Sequence, residues 1–193
     1  MQNIDTKTHD LHGFVDSDWA GDNKHRQSVS GIAVLLGGTV VAYKSKLQRT
    51  IATSSTEAEF SAACDAGKII LYLRTILEEL EIDQNKATIL YEDNQGVLMM
   101  TRAKQPTRRT RHVKTSQFAI LDWIEHDLLA LKFVSSTDNA SDAMAKALPR
   151  ILHYKHFDRL MGRIVPEVFR NNKKLGIKTI SKRERIIQRK RNS

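Results

Sequence analysis

The sequence predicts an α/β domain on a five-stranded mixed sheet, with three strands joined as an antiparallel meander and two further strands running parallel. Short β-branched runs near the start are separated by glycine turns, one helical periodicity then continues from Thr56 to Leu80, and strand-like and helical stretches alternate after it. Alternation of that kind requires crossover connections, and crossovers pair strands in parallel.

The elements follow in order. Leu11 to Asp16 reads as a short buried strand ending in an acid, and Gly21-Asp22-Asn23 marks the loop behind it. Ser30 to Leu36 and Thr39 to Lys44 are strands joined at Gly37-Gly38, a two-residue hairpin signal. The helical stretch Thr56 to Leu80 presents Phe60, Ala63, Cys64, Gly67, Ile70, Leu71, Leu73, Ile76, Leu77 and Leu80 as its buried face. Thr88 to Glu92 is a fourth strand and Leu129 to Val134 a fifth, with helices at Gln95 to Ala103 and Ser116 to His126 between them. Helices at Asn139 to Leu148 and Leu152 to Met161 close the domain.

The 193 residues suit one domain and an appendage, and an apolar fraction of 40% can build a core. No apolar run approaches the length of a membrane helix, and the polar opening is no secretion signal. One cysteine, Cys64, excludes an internal disulfide and a cysteine-rich zinc site. The expected setting is intracellular. Ten of the 31 basic residues but one of the 22 acids fall from Arg170 onward, so the preceding body is balanced at 21 of each. This divides the chain into a polar leader (1–10), a globular domain (11–165) and a basic tail (166–193) whose natural partners are polyanions such as nucleic acid.

Four acids fall where an α/β sheet places ligands. Asp16 and Asp93 stand at the carboxyl ends of strands, Glu59 lies in the first turn of the long helix, and Asp142 opens a late helix. If the strands carrying Asp16 and Asp93 are neighbours, a spacing of about 4.8 Å puts their carboxylates in one pocket, where repulsion raises their pKa values until a cation enters. Hard carboxylate oxygens suit Mg²⁺ or Mn²⁺, and a pair of such ions supports phosphodiester hydrolysis. Each acid also has a structural reading. Asp16 and Asp93 could serve turns, Asp142 could complement a helix dipole, and Glu57 and Glu59 complete capping boxes with Ser54 and Thr56. Glu59 shares its stripe with Ala62, Ala63, Ala66 and Ile70, small residues that let a helix lie close on a sheet, and is the better ligand candidate of the two.

The wording of the chain adds to its pattern. DSDWAGD, HRQSVSG, KSKLQRTIATSSTEAEF, YEDNQG and SDAMAKALP together resemble the ribonuclease H domain of copia-type LTR retrotransposon polyproteins, from about Gly13 to Gly162. The resemblance implies a ribonuclease H-like fold, with which the element order agrees. It implies two Mg²⁺ ions, with Mn²⁺ as a substitute, held by Asp16, Glu59, Asp93 and Asp142. The activity it implies is cleavage of the RNA strand of an RNA–DNA hybrid during reverse transcription, beside a reverse transcriptase region of the same polyprotein, in a cytoplasmic virus-like particle or the nucleus. Glu57 and Asp18 would stand behind the ligands, and Trp19 is expected to close over the core. The alternative is a catalytically silent, nucleic-acid-binding module of the same descent.

Arg102, Lys104, Arg108, Arg109, Arg111 and Lys114 form a run without an acid, suited to backbone phosphates, with His112 as a further backbone contact; a solvated loop is the plain alternative. The stretch Arg111 to Phe118 departs from the family pattern KHID-x-x-YHF, with Lys114 in place of the acid and Gln117 in place of the later histidine. No histidine occurs in Ser135 to Ser141, the loop before Asp142.

Overall fold

The structure is a computed structural model that describes residues 10–22, 24–102 and 115–163, with backbone alone at 115–117. Its strands are β1 (Leu11–Asp18), β2 (Val29–Leu36), β3 (Thr39–Leu47), β4 (Thr88–Glu92) and β5 (Leu129–Phe133). The helices are α1 (Ser55–Glu79), α2 (Gln95–Arg102), α3 (Thr115–Glu125), α4 (Asp142–Ala145) and α5 (Arg150–Leu160). They form one sheet in the order β3-β2-β1-β4-β5. β1 pairs antiparallel with β2 and parallel with β4, which pairs parallel with β5. This is the predicted mixed sheet.

The hairpin between β2 and β3 turns on Gly37 and Gly38, both at positive φ (59° and 85°), where a side chain would be strained. β1, central in the sheet, is buried on both faces, and alternation sorts its side chains between two cores. Val15 joins Ile32, Leu90, Phe60, Ile70, Val97 and Ile120 under α1, α2 and α3. Phe14 joins Ala33, Leu35, Tyr91, Val134 and Leu160 on the face that carries α5. Ala58, Ala62, Ala63 and Ala66 are fully buried, so the backbone of α1 lies close on the sheet. None of the described helices is long and apolar enough to cross a membrane.

Five expectations change. Asp16 does not end its strand: β1 continues to Asp18, and Asp16 is paired with Gly31 of β2, which removes the turn reading. Leu80 is 62% exposed because α1 stops at Glu79. Glu81 takes φ 59°, and the amides of Glu81 and Ile82 donate to the carbonyls of Glu78 and Leu77, a Schellman ending that returns Ile82 to the core instead. The helix expected over Asn139 to Leu148 is only the four residues of α4, preceded by a 3₁₀ turn at Ser136–Asp138. Asn139 accepts the Ser141 hydroxyl and donates to the Val15 carbonyl of β1, and Pro149 biases the chain before it toward extended conformations. α5 then starts at Arg150, two residues before the expected position. Finally, Trp19 is 47% exposed and donates its indole N–H to the Ala52 carbonyl at 3.1 Å, so it braces a loop and does not close the core.

Candidate metal centre

Four different elements bring the predicted acids together. Asp16 comes from β1, Glu59 from the first turns of α1, Asp93 from the residue after β4, and Asp142 from the start of α4. Asp16, Glu59 and Asp142 are buried and Asp93 is partly exposed. Carboxylate oxygens of Asp16, Asp93 and Asp142 lie within 4.8 Å of one another. A second group with the same spacing contains Glu59, Asp93 and an acid not singled out from the sequence, Glu92.

Local chemistry explains why these acids are free for a ligand. Ser54 is the N-cap of α1, accepting the Glu57 N–H at 3.2 Å, while the Glu57 carboxylate takes the Thr53 N–H and hydroxyl at 2.7 and 2.6 Å. Glu57 is therefore a capping residue and does not support the cluster. Thr56 lies inside the first turn, so Glu59 is not a cap. Beside Asp93, the turn role belongs to Asn94, whose Oδ1 accepts the N–H groups of Gly96 and Val97 at 2.9 and 3.3 Å. Asp18 lies over Gly21 in the turn after β1, where an added Cβ would come within 2.2 Å of its carboxylate.

Two neutral side chains hold the frame. Gln48 donates to Ser30 Oγ at 2.8 Å and to the Ala58 carbonyl at 2.9 Å, tying the end of β3 to the turn of α1 that carries Glu59. Asn139 donates to the Val15 carbonyl at 2.8 Å and accepts the Ser141 hydroxyl at 2.6 Å, holding the entry to α4 beside the residue preceding Asp16. Neither was readable as a positioning residue, because each bonds across more of the sequence than a local pattern reports.

The electrostatics are those of carboxylates crowded out of water. Burial, and then Asp142, push Asp16 up to about 7. Glu59 is pushed up to about 10 by burial and then by Glu92, and burial takes Glu92 up to about 8. Asp142 is raised too, by burial foremost. Lys146, one turn beyond Asp142, partly offsets this charge, with its Nζ 3.2 Å from Asp16 Oδ2 and 3.3 Å from Asp142 Oδ1. Burial lowers the Lys146 ammonium, but the two acids outweigh it and raise the pKa above its ordinary value. Lys146 thus pairs with Asp16 Oδ2 and Asp142 Oδ1, whereas Glu59 Oε2 and Glu92 Oε2 have no hydrogen-bond partner among the described residues. Buried carboxylate oxygens converging from both groups, with one lysine against them, match an all-oxygen donor set for a hard divalent cation. An i, i+4 spacing from Asp142 was the available sign of Lys146, and strand alternation from Leu90 that of Glu92.

Of the basic run, Arg102 is exposed at the end of α2. Lys104, Arg108, Arg109, Arg111, His112 and Lys114 lie outside the described residues, as does the tail from 166.

Comparison with known proteins supplies the lineage. The chain is 32% identical over 140 residues to the retrovirus-related Pol polyprotein from transposon TNT 1-94 of Nicotiana tabacum, covering 72% of this chain and 10% of that protein. It is 29% identical over 152 residues to the Pol polyprotein from transposon RE2 of Arabidopsis thaliana, covering 79% of this chain and 10% of the relative. The chain is a homologue of copia-type retrotransposon Pol polyproteins. It spans about 10% of the length of these relatives, and no protein-family model matches it. The fold of this Pol homologue is that of ribonuclease H. A crystal structure of LC11-RNase H1 in complex with an RNA/DNA hybrid superposes with a TM-score of 0.52 at 12% identity, covering 70% of this chain and 93% of that one.

Proposed function

We propose that the chain is a divalent-metal-dependent ribonuclease H that cuts the RNA strand of an RNA–DNA hybrid during retrotransposon reverse transcription. The observation that carries this reading is the convergence of Asp16, Glu59, Asp93 and Asp142 from four elements of a ribonuclease H fold, with a single lysine, Lys146, paired to Asp16 and Asp142. Those four residues would hold Mg²⁺, or Mn²⁺ in its place. The ions, when bound, supply activation of water and stabilisation of the leaving oxygen.

The chain's own residues do the rest. β1 and β4, paired side by side, set Asp16 and Asp93 against each other, and the Gln48 and Asn139 contacts fix the approach of α1 and α4. Lys146 holds the charge of Asp16 and Asp142 in the unloaded protein. Burial around these acids keeps bulk water from screening the charge. Arg102 and the basic residues that follow it would grip the phosphate backbone, as suits a substrate recognised by shape rather than sequence. A reverse transcriptase region of the same polyprotein is the expected neighbour.

The test is a hybrid with labelled RNA, offered with Mg²⁺ or Mn²⁺ beside the same RNA as a single strand and as an RNA duplex. RNA cleavage confined to the hybrid and dependent on the ion is the expected result. Intact hybrid under both ions would reject the proposal.

A further inference from the structure

We infer that Glu92 is a cation ligand, joining Glu59 and Asp93 at one of the two ions that the family resemblance implies. The inference rests on reading the acid cluster as a cation centre, and it adds a fifth carboxylate that the family resemblance did not imply.

Alternation along β4 puts Leu90 and Glu92 on the face covered by α1 and turns Tyr91 to the opposite core. Glu92 therefore meets Glu59, which projects from α1, while Asp16 and Asp142 meet at the start of α4. Asp93 leaves the strand between the two groups and belongs to both. The geometry is that of two cation positions sharing one carboxylate.

Glu92 has 0% of its surface exposed. Its Oε1 accepts the Asn94 N–H at 3.0 Å, and its Oε2 has no hydrogen-bond partner among the described residues. Glu59 is the neighbouring acid on that face, and among the described residues neither Glu59 Oε2 nor Glu92 Oε2 meets an N–H or hydroxyl that would offset their crowding. The spacing of the three acids, within 4.8 Å, instead suits a common ion: oxygens around one octahedral Mg²⁺ at about 2.1 Å stand about 3 to 4.2 Å apart. Three carboxylates and no nitrogen or sulfur donor select Mg²⁺, Mn²⁺ or Ca²⁺ over softer metals. Partly exposed Asp93 leaves the pocket open to entry on its side.

Manganese titration of the full chain, followed by the electron paramagnetic resonance of free Mn²⁺, tests this. Two bound ions are expected in the parent. Glu92→Gln should lose one, its affinity falling at least about tenfold, while Asp142→Asn should lose the other. A parent that binds fewer than two ions, or a Glu92→Gln chain that binds both with parental affinity, overturns the inference. Should Glu92→Gln fail to fold, the parent labelled with ¹³C at its carboxyl groups gives the answer directly. Paramagnetic broadening of the Glu92 carboxyl by Mn²⁺ supports the site, and a sharp Glu92 signal beside broadened Asp16 and Asp142 overturns it. Failure of the nuclease proposal is separable. Two ions lost as described from a chain that cuts no hybrid would leave the cation site standing, whereas a cutting chain indifferent to Glu92→Gln would leave only the nuclease.

Discussion

Asp93 is common to both carboxylate groups, so its charge matters twice. Asp93→Asn should reduce hybrid cleavage by about a hundredfold or more while the circular dichroism spectrum stays parental, since an amide relieves like-charge repulsion. Full turnover in that variant would remove the acid cluster from the chemistry. Millimolar Mg²⁺ should raise the melting temperature of the parent and have little effect on Asp93→Asn, because binding to the folded state alone stabilises it by mass action. Glu92 allows a pH test whose sign is determined by its environment. It is raised from 4.5 to about 8, foremost by burial. Between those values it keeps its proton in the folded protein and loses it in the unfolded chain, so this group's contribution to stability falls as pH rises. Glu92→Gln has no such proton. Without metal, its stability relative to the parent should therefore climb from about pH 4.5 to 8, by no more than about 1.4 kcal/mol per pH unit, as read by urea melts. His12 and His156, both held near 4 by burial, slope the other way, so the difference between the chains is the quantity to measure. Glu59, Asp93 and Asp142 were legible because strand ends and helix starts place ligands, whereas Asp16 was singled out on a strand end that the structure moves to Asp18. Glu92 was hidden because an acid inside a buried strand looks like the last residue of an apolar run.

Among the elements, α4 is the one whose placement decides the site and whose extent was least legible. The hairpin at Gly37-Gly38 and the long period of α1 are written locally, in residue types and spacing. The four residues of α4 are held instead by contacts with residues distant in sequence, such as Asn139 with Val15. Gly31 is the floor beneath it. A Cβ there would come within 2.6 Å of the Ala145 nitrogen and the Ser141 carbonyl oxygen, backbone atoms that can yield only by moving the helix. Gly31→Ala should cost about 1 to 3 kcal/mol in urea denaturation. It should also weaken the ion held by Asp16 and Asp142 more than the ion beside Glu59, since Gly31 pairs with Asp16 and lies under α4. Equal losses at both positions would show that the two groups behave as one rigid unit. Asn139→Ala would strand the Val15 carbonyl in the core and should cost about 1 to 3 kcal/mol by the same measurement.

At the scale of the whole molecule, charge is segregated: a body with as many acids as bases, a run of cations after α2, and a basic tail. Arg108, Arg109 and Arg111 are expected to hold the hybrid backbone, so changing all three to Ala should weaken unrelated hybrids alike and flatten the salt dependence by up to about 0.9 per lost phosphate contact. A changed cleavage-site preference at parental affinity would contradict a phosphate role. The tail poses a separate question, because from Arg170 onward ten cations stand against a single acid, Glu184, and few apolar anchors accompany them. Such a segment attracts polyanions over a distance but has little with which to complete an active site. A chain ending at Phe169 should therefore fold and turn over saturating hybrid at the parental rate. What it should lose is encounter rate and nonspecific affinity at low ionic strength, with the two chains converging near 0.15 M salt, where the Debye length is about 8 Å. The clusters Lys182-Arg183-Glu184-Arg185 and Arg189-Lys190-Arg191 also have the composition of a nuclear import signal, and residues 170–193 fused to a passive reporter would show import directly. A truncated chain that folds yet loses turnover at saturating hybrid would place the tail in the active site and move the domain boundary beyond residue 165.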